Sequence, residues 1–116
     1  MSAILFAAAL LAQAPEPPPV VDGYRWARKP TMAEFMRLYP RRAIHLGQGG
    51  KALMSCKVRS DGTLRDCVIA DLYGSDPAFG PATIALVGLF RMRAPEGQTL
   101  AEGGEVRIPI TWQVPR

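Results

Sequence analysis

Histidine is nearly absent from this chain, cysteine is scarce, and no stretch free of charge is long enough to cross a bilayer. One histidine and two cysteines cannot close a four-ligand zinc site without carboxylates at matching spacing, and no such spacing is present. His45, on a short helix among basic residues, reads as a solvated side chain. Gly47, Gly49 and Gly50 lack the lysine and helix that complete a phosphate cradle. Ser75, in Gly74-Ser75-Asp76-Pro77, belongs to a turn rather than a nucleophile elbow. Asp66, Asp71 and Asp76 are not helical neighbours. No catalytic residue, metal ligand or cofactor is expected, and the sequence argues against an enzyme.

The 116 residues carry 14 basic and 10 acidic side chains, a net charge of +4. That length supports one domain with a modest core. Arg41-Arg42 and Arg91/Arg93 are the local concentrations of charge. A nucleic-acid footprint would need a denser basic stripe with interleaved aromatics, so no nucleic-acid partner is expected. A mildly basic surface near an anionic membrane or cell wall is the plainer reading.

The two cysteines flank a turn. If Asp61-Gly62 is a two-residue hairpin loop, Ser60 faces Thr63 and counting outward sets Cys56 opposite Cys67. Opposed residues on antiparallel strands lie about 4.5–5.5 Å apart at Cα, a span a disulfide bridges. A three-residue loop, Ser60 to Gly62, would shift the register, and one bulge at Arg65-Asp66 would restore the opposition. The pairing predicts a stapled hairpin in an oxidising compartment; the competing reading is two buried thiols in a reducing one.

The start of the chain points to the same compartment. Ala3 to Ala12 is apolar, and Ala12-Gln13-Ala14 has the small-x-small form of a signal-peptidase site. Residues 1–14 therefore read as a signal peptide or short apolar leader. No Lys or Arg precedes the run and Pro15 would follow the cut, two departures from a standard export signal. The run is about half the ~20 residues a membrane helix needs, so membrane association is expected only through this leader, if uncleaved. Residues 15–30 form a proline-rich arm. Pro15-Glu16-Pro17-Pro18-Pro19 is stiff and reaches about 15 Å, and Tyr24 to Lys29 is irregular, with Trp26 as a docking aromatic.

Residues 31–116 carry the folded pattern. Thr31-Met32-Ala33-Glu34 is a capping box, and Met32, Phe35, Met36 and Tyr39 form a helical stripe ended by Pro40. Arg41 to Leu46 adds one or two turns, capped at Gly47. Lys51 to Arg59 alternates as a strand, and Leu64 to Ala70 returns beside it. Gly80-Pro81 opens a helix. No residue from Pro77 to Phe90 is charged, so this helix either meets a partner or shows water a small-residue face at Ala82, Thr83 and Gly88. Pro95 to Gly104 reads as a loop. Val106, Ile108, Ile110, Trp112 and Val114 then alternate with polar residues and Pro109, the cleanest strand in the chain. Pro109 cannot donate to a ladder, which places that strand at a sheet edge. The expectation is an α+β domain in α-β-β-α-β order: a small three-stranded antiparallel sheet with helices packed on one face.

From Tyr39-Pro40-Arg41-Arg42-Ala43 to Val114 these residues resemble the C-terminal domain of the TonB family of energy transducers. The carriers are the Tyr-Pro start, Gly50-Lys51 entering a strand, and Ser60-Asp61-Gly62-Thr63-Leu64 at the hairpin. Leu89-Phe90-Arg91-Met92-Arg93, Gly97-Gln98 and Val106-Arg107-Ile108-Pro109-Ile110 complete the set. The family pattern usually has a tryptophan where Phe90 stands and a phenylalanine near Met92. The resemblance implies a periplasmic domain that grips an extended segment of an outer-membrane transporter by edge-strand addition, in energy-dependent transport across the outer membrane. Main-chain hydrogen bonds then give affinity and alternate side chains give choice. The matching edge is Glu105, Val106, Arg107, Ile108, Pro109, Ile110, Thr111, Trp112 and Gln113.

Two features depart from the family pattern. The ten apolar residues and short proline segment at the start do not match the membrane helix and long spacer of a transducer. Pro109 guards the edge if its nitrogen faces outward, and costs an internal bond if it faces inward. The competing expectations are a stand-alone peptide-binding domain, a transducer subunit held at the inner membrane by its leader, and a structural envelope protein. The last would dimerise through the uncharged helix or the Trp112 strand. The partner is then an outer-membrane or other envelope protein, a second copy, or peptidoglycan.

Overall fold

The computed structural model describes residues 21, 24–74 and 76–115; the leader, the proline segment and Ser75 lie outside the described residues. In chain order the elements are β1 (Arg25–Arg28), α1 (Met32–Leu38), α2 (Arg41–His45), β2 (Gly50–Val58), β3 (Leu64–Tyr73) and α3 (Phe79–Ala85). A 3-10 turn, Val87–Leu89, leads to β4 (Arg91–Arg93) and β5 (Gly104–Trp112). The α+β expectation holds: β3, β2 and β5 form a three-stranded antiparallel sheet in that order. Two short strands are absent from the expected order: β1, in the arm expected to be irregular, and β4, where the resemblance implied the end of the apolar helix, pair as a separate ribbon.

Local chemistry explains the first helices. Thr31 Oγ1 accepts the Glu34 N–H at 3.2 Å while Glu34 Oε1 accepts the Thr31 N–H at 3.0 Å, the reciprocal cap expected from the sequence. The Thr31 N–H, and then Arg28, hold the Glu34 carboxyl below its ordinary pKa. Phe35 and Met36 are half-buried and Tyr39 is buried, but Met32, expected on the same stripe, is 65% exposed. After α2 the Gly47 N–H donates to Ile44 at 3.2 Å and the Gln48 N–H to Ala43 at 2.9 Å, with Gly47 at φ +64°.

The hairpin takes the three-residue option. The Arg59 N–H donates to the Thr63 carbonyl and the Gly62 N–H to Arg59, each at 2.8 Å, leaving Ser60 to Gly62 as the loop. Gly62 sits at φ +92°, and an added Cβ would lie 2.0 Å from the Met92 carbonyl oxygen. Glycine is needed here on both counts. The register runs Lys57↔Arg65 and resumes at Ser55↔Val68. The extra residue is taken up at Asp66, which has φ 50°. That bulge brings Cys56 and Cys67 together, and they form a disulfide with Cα atoms 4.1 Å apart.

The inner face of the sheet is apolar and carries the helices. Met54, Cys56 and Val58 of β2 and Val106, Ile108, Ile110 and Trp112 of β5 are buried, together with Phe79, Leu86, Phe90 and Met92. Trp112 is the centre: its ring lies 5.0 Å from Phe35, 5.4 Å from Tyr39 and 5.8 Å from Phe79. Thr83 is fully buried, which corrects its placement on a water-facing side of the uncharged helix. Its hydroxyl accepts from Trp112 Nε1 at 2.9 Å and donates to the Phe79 carbonyl at 2.7 Å. The outward residues of α3 and the turn after it are Pro81, Ala85 and Gly88.

Candidate functional site: the free edge of the last strand

Strand β5 has one neighbour in its sheet, β2. The pairing runs without interruption from Gly50↔Trp112 to Val58↔Gly104, so its alternation can be followed residue by residue. The Glu105 carbonyl accepts the Val21 N–H at 2.8 Å, on the side away from β2. Within an antiparallel strand a residue's N–H and C=O share a side and its neighbours take the other. Arg107, Pro109 and Thr111 therefore also turn their backbone groups outward, while Val106, Ile108, Ile110 and Trp112 bond to β2. The question the sequence left open at Pro109 is answered by this parity. Its nitrogen faces the outer edge, the ladder with β2 loses nothing, and among the described residues the outer row keeps the N–H groups of Arg107 and Thr111 with three carbonyls.

Side chains follow the same alternation. Arg107, Pro109 and Thr111 are exposed, Glu105 is half-buried and the intervening residues are buried. Gln113 is exposed and lies past the end of the strand. The Glu105 carboxylate accepts from Ser55 Oγ at 3.0 Å and from Arg107 Nε at 3.3 Å.

Beside this edge runs a groove of about 420 Å³, floored by Phe35, Phe90, Ile108 and Ile110 and walled on the far side by Tyr24, Trp26, Lys29 and Pro30. The wall exists because β1 and β4 pair, Trp26 opposite Met92. Trp26 is braced by Tyr24 at 5.3 Å and Phe90 at 5.0 Å between ring centroids. Trp26 was legible in the sequence as a docking aromatic; the strand that carries it was not. The local sign was slight: Trp26-Ala27 between Arg25 and Arg28, and Met92 between Arg91 and Arg93, segments too short to show a period.

The opposite edge of the sheet, β3, is a poorer ladder. Its register shifts twice against β2, and bulges are a common way of blunting an exposed edge. Among the described residues no group of three His, Cys, Asp or Glu side chains gathers to hold a metal ion, and no helix is long and apolar enough to cross a membrane.

Fold and edge together describe a small α+β module with an open strand beside an apolar groove. The family described as Gram-negative bacterial TonB protein C-terminal matches residues 37–114, and the chain belongs to that family. Among solved structures the chain is similar to the solution NMR structure of the Pseudomonas aeruginosa TonB C-terminal domain. That likeness is 14% identical, covers 83% of this chain and 91% of that one, and has a TM-score of 0.61, a likeness of fold. The Helicobacter pylori TonB C-terminal domain is 22% identical over 73% of this chain and 81% of that one, with a TM-score of 0.42. No curated protein matches the chain.

Proposed function

We propose that this chain is a non-enzymatic periplasmic domain that binds an extended segment of an outer-membrane transporter or other envelope protein by adding it as a strand to β5. It thereby takes part in energy-dependent transport across the outer membrane. The observation that carries the reading is the outward row of Arg107, Pro109 and Thr111 beside the aromatic groove. A strand laid on that row exchanges main-chain hydrogen bonds with Arg107 and Thr111. Its alternate side chains drop onto Phe35, Phe90 and Ile108. The Val21 bond to Glu105 occupies one end of the row and sets where an added strand stops. The disulfide fits export to an oxidising compartment.

Thr111→Pro tests the edge without touching the ladder, because the Thr111 N–H points away from β2. Titration with synthetic peptides covering the periplasmic segments of the cell's outer-membrane transporters can be followed by the fluorescence of Trp26 in the groove wall. The variant is expected to stay folded and to bind at least about tenfold more weakly, from one lost hydrogen bond and an obstructing ring. Binding as tight as wild type would remove β5 from consideration. Dimerisation is the second reading, favoured by Val68 and Tyr73 of β3, which are 60% and 59% exposed.

A further inference from the structure

We propose that the outer side of α1 and α2 is a second interaction surface, one that docks on anionic phospholipid headgroups independently of strand addition. From Phe35 to Ser60 the sequence contains no Asp or Glu, while Arg37, Arg41, Arg42, Lys51, Lys57 and Arg59 all fall within it. Arg37, Arg41 and Arg42 are exposed, and none of them joins an ion pair among the described residues. Glu34 on α1 is tied to Arg28 at 2.9 Å, and Asp76, which shares a small depression with Arg42 and Leu46, accepts the Ala78 N–H on its Oδ1 at 2.9 Å.

Two large apolar side chains stand among these cations. Leu46, at the tip where α2 ends before Gly47, is 58% exposed, and Met32 is 65% exposed. Met32 lines one open depression with Gly47, the residue that follows Leu46, which brings α1 and the end of α2 to one side of the molecule. The helical spacing of Met32 would have put it in the core stripe, but it faces outward.

Exposed apolar side chains on α1 and at the end of α2, the helices that carry three arginines unpaired among the described residues, match a bilayer interface. The apolar tips enter the headgroup–acyl boundary while arginines meet phosphates as two-pronged donors. A peptide partner added as a strand would instead need a free strand edge, and these side chains lie on helices and the turn after them. The surface is a route to a membrane separate from the leader.

The test is co-sedimentation of the full chain with phosphatidylcholine vesicles, pure or containing about 30% phosphatidylglycerol, for wild type, Arg41→Gln/Arg42→Gln and Leu46→Ser. All three proteins keep Ala3 to Ala12, so any contribution of that run is common to them. Wild type is expected to partition at least about tenfold better onto the anionic vesicles, with the double arginine change removing most of that preference and rising salt weakening it. Leu46→Ser is expected to weaken anionic-vesicle binding several-fold. Equal partitioning onto both vesicle types, or an arginine variant that binds like wild type, would overturn the proposal. So would an unaltered Leu46→Ser combined with equally tight binding to soluble polyphosphate, which would mark a general polyanion site.

Discussion

Replacing Trp112 by alanine is expected to destabilise the domain by about 3–5 kcal/mol, the range for a large aromatic removed from a close-packed core. Trp112 is 1% exposed and meets three aromatic rings, from α1, the Tyr39-Pro40 junction and α3. Its Nε1 proton also satisfies the buried Thr83 hydroxyl. Alanine therefore opens a cavity at the place where the helices are fastened to β5, and it removes the polar tie between β5 and α3. Small domains have a total stability of about 5–15 kcal/mol, so a loss of this size leaves the variant marginal at best. Urea unfolding measures it directly as a fall in midpoint at nearly constant slope. A loss below about 1 kcal/mol would mean that the aromatic cluster is not the structural centre.

The second large effect is expected from the disulfide. Cys56 and Cys67 are separated by 11 residues in sequence, and in the chain-entropy treatment a crosslink over such a loop contributes about 3 kcal/mol. Cys56→Ser loses that constraint and also sets a hydroxyl in a site that is 1% exposed. For a domain of this size the melting temperature should fall by about 10–20 °C. Reductant added to the oxidised wild type should produce a comparable fall. An unchanged melting temperature after verified reduction would show that the crosslink does not contribute to stability.

The parts of this fold that were legible in the sequence are those set by neighbouring residues. The Thr31–Glu34 box, the Gly47 cap and the alternation of β5 all follow from short-range spacing. The hairpin was legible as a choice between two loops. Only the tertiary position of Gly62, whose carbonyl accepts the Met92 N–H at 2.8 Å, shows why the longer loop is taken. The ribbon of β1 and β4 was missed for a related reason. Strands of four and three residues are too short for periodicity to reveal, and they pair residues far apart in the chain, as Trp26 with Met92. Thr83 carries no local sign that a tryptophan from β5 will reach its hydroxyl.

The candidate site divides along the same line. Pro109 announced a sheet edge because proline lacks a donor. The direction of its nitrogen required the Val21 bond to Glu105, a contact across most of the chain. The groove needed the ribbon, and so could not be read from composition or spacing.

Residue-resolved amide hydrogen exchange, with and without the tightest-binding transporter peptide at saturation, tests the central claim most directly. In the free domain the Arg107 and Thr111 amides should exchange quickly while those of Ile108 and Ile110 are protected by β2. With peptide bound, Arg107 and Thr111 should slow by at least about tenfold as they acquire partners. Arg107 and Thr111 amides already protected in the free domain, or new protection arising along β3 instead, would contradict the account.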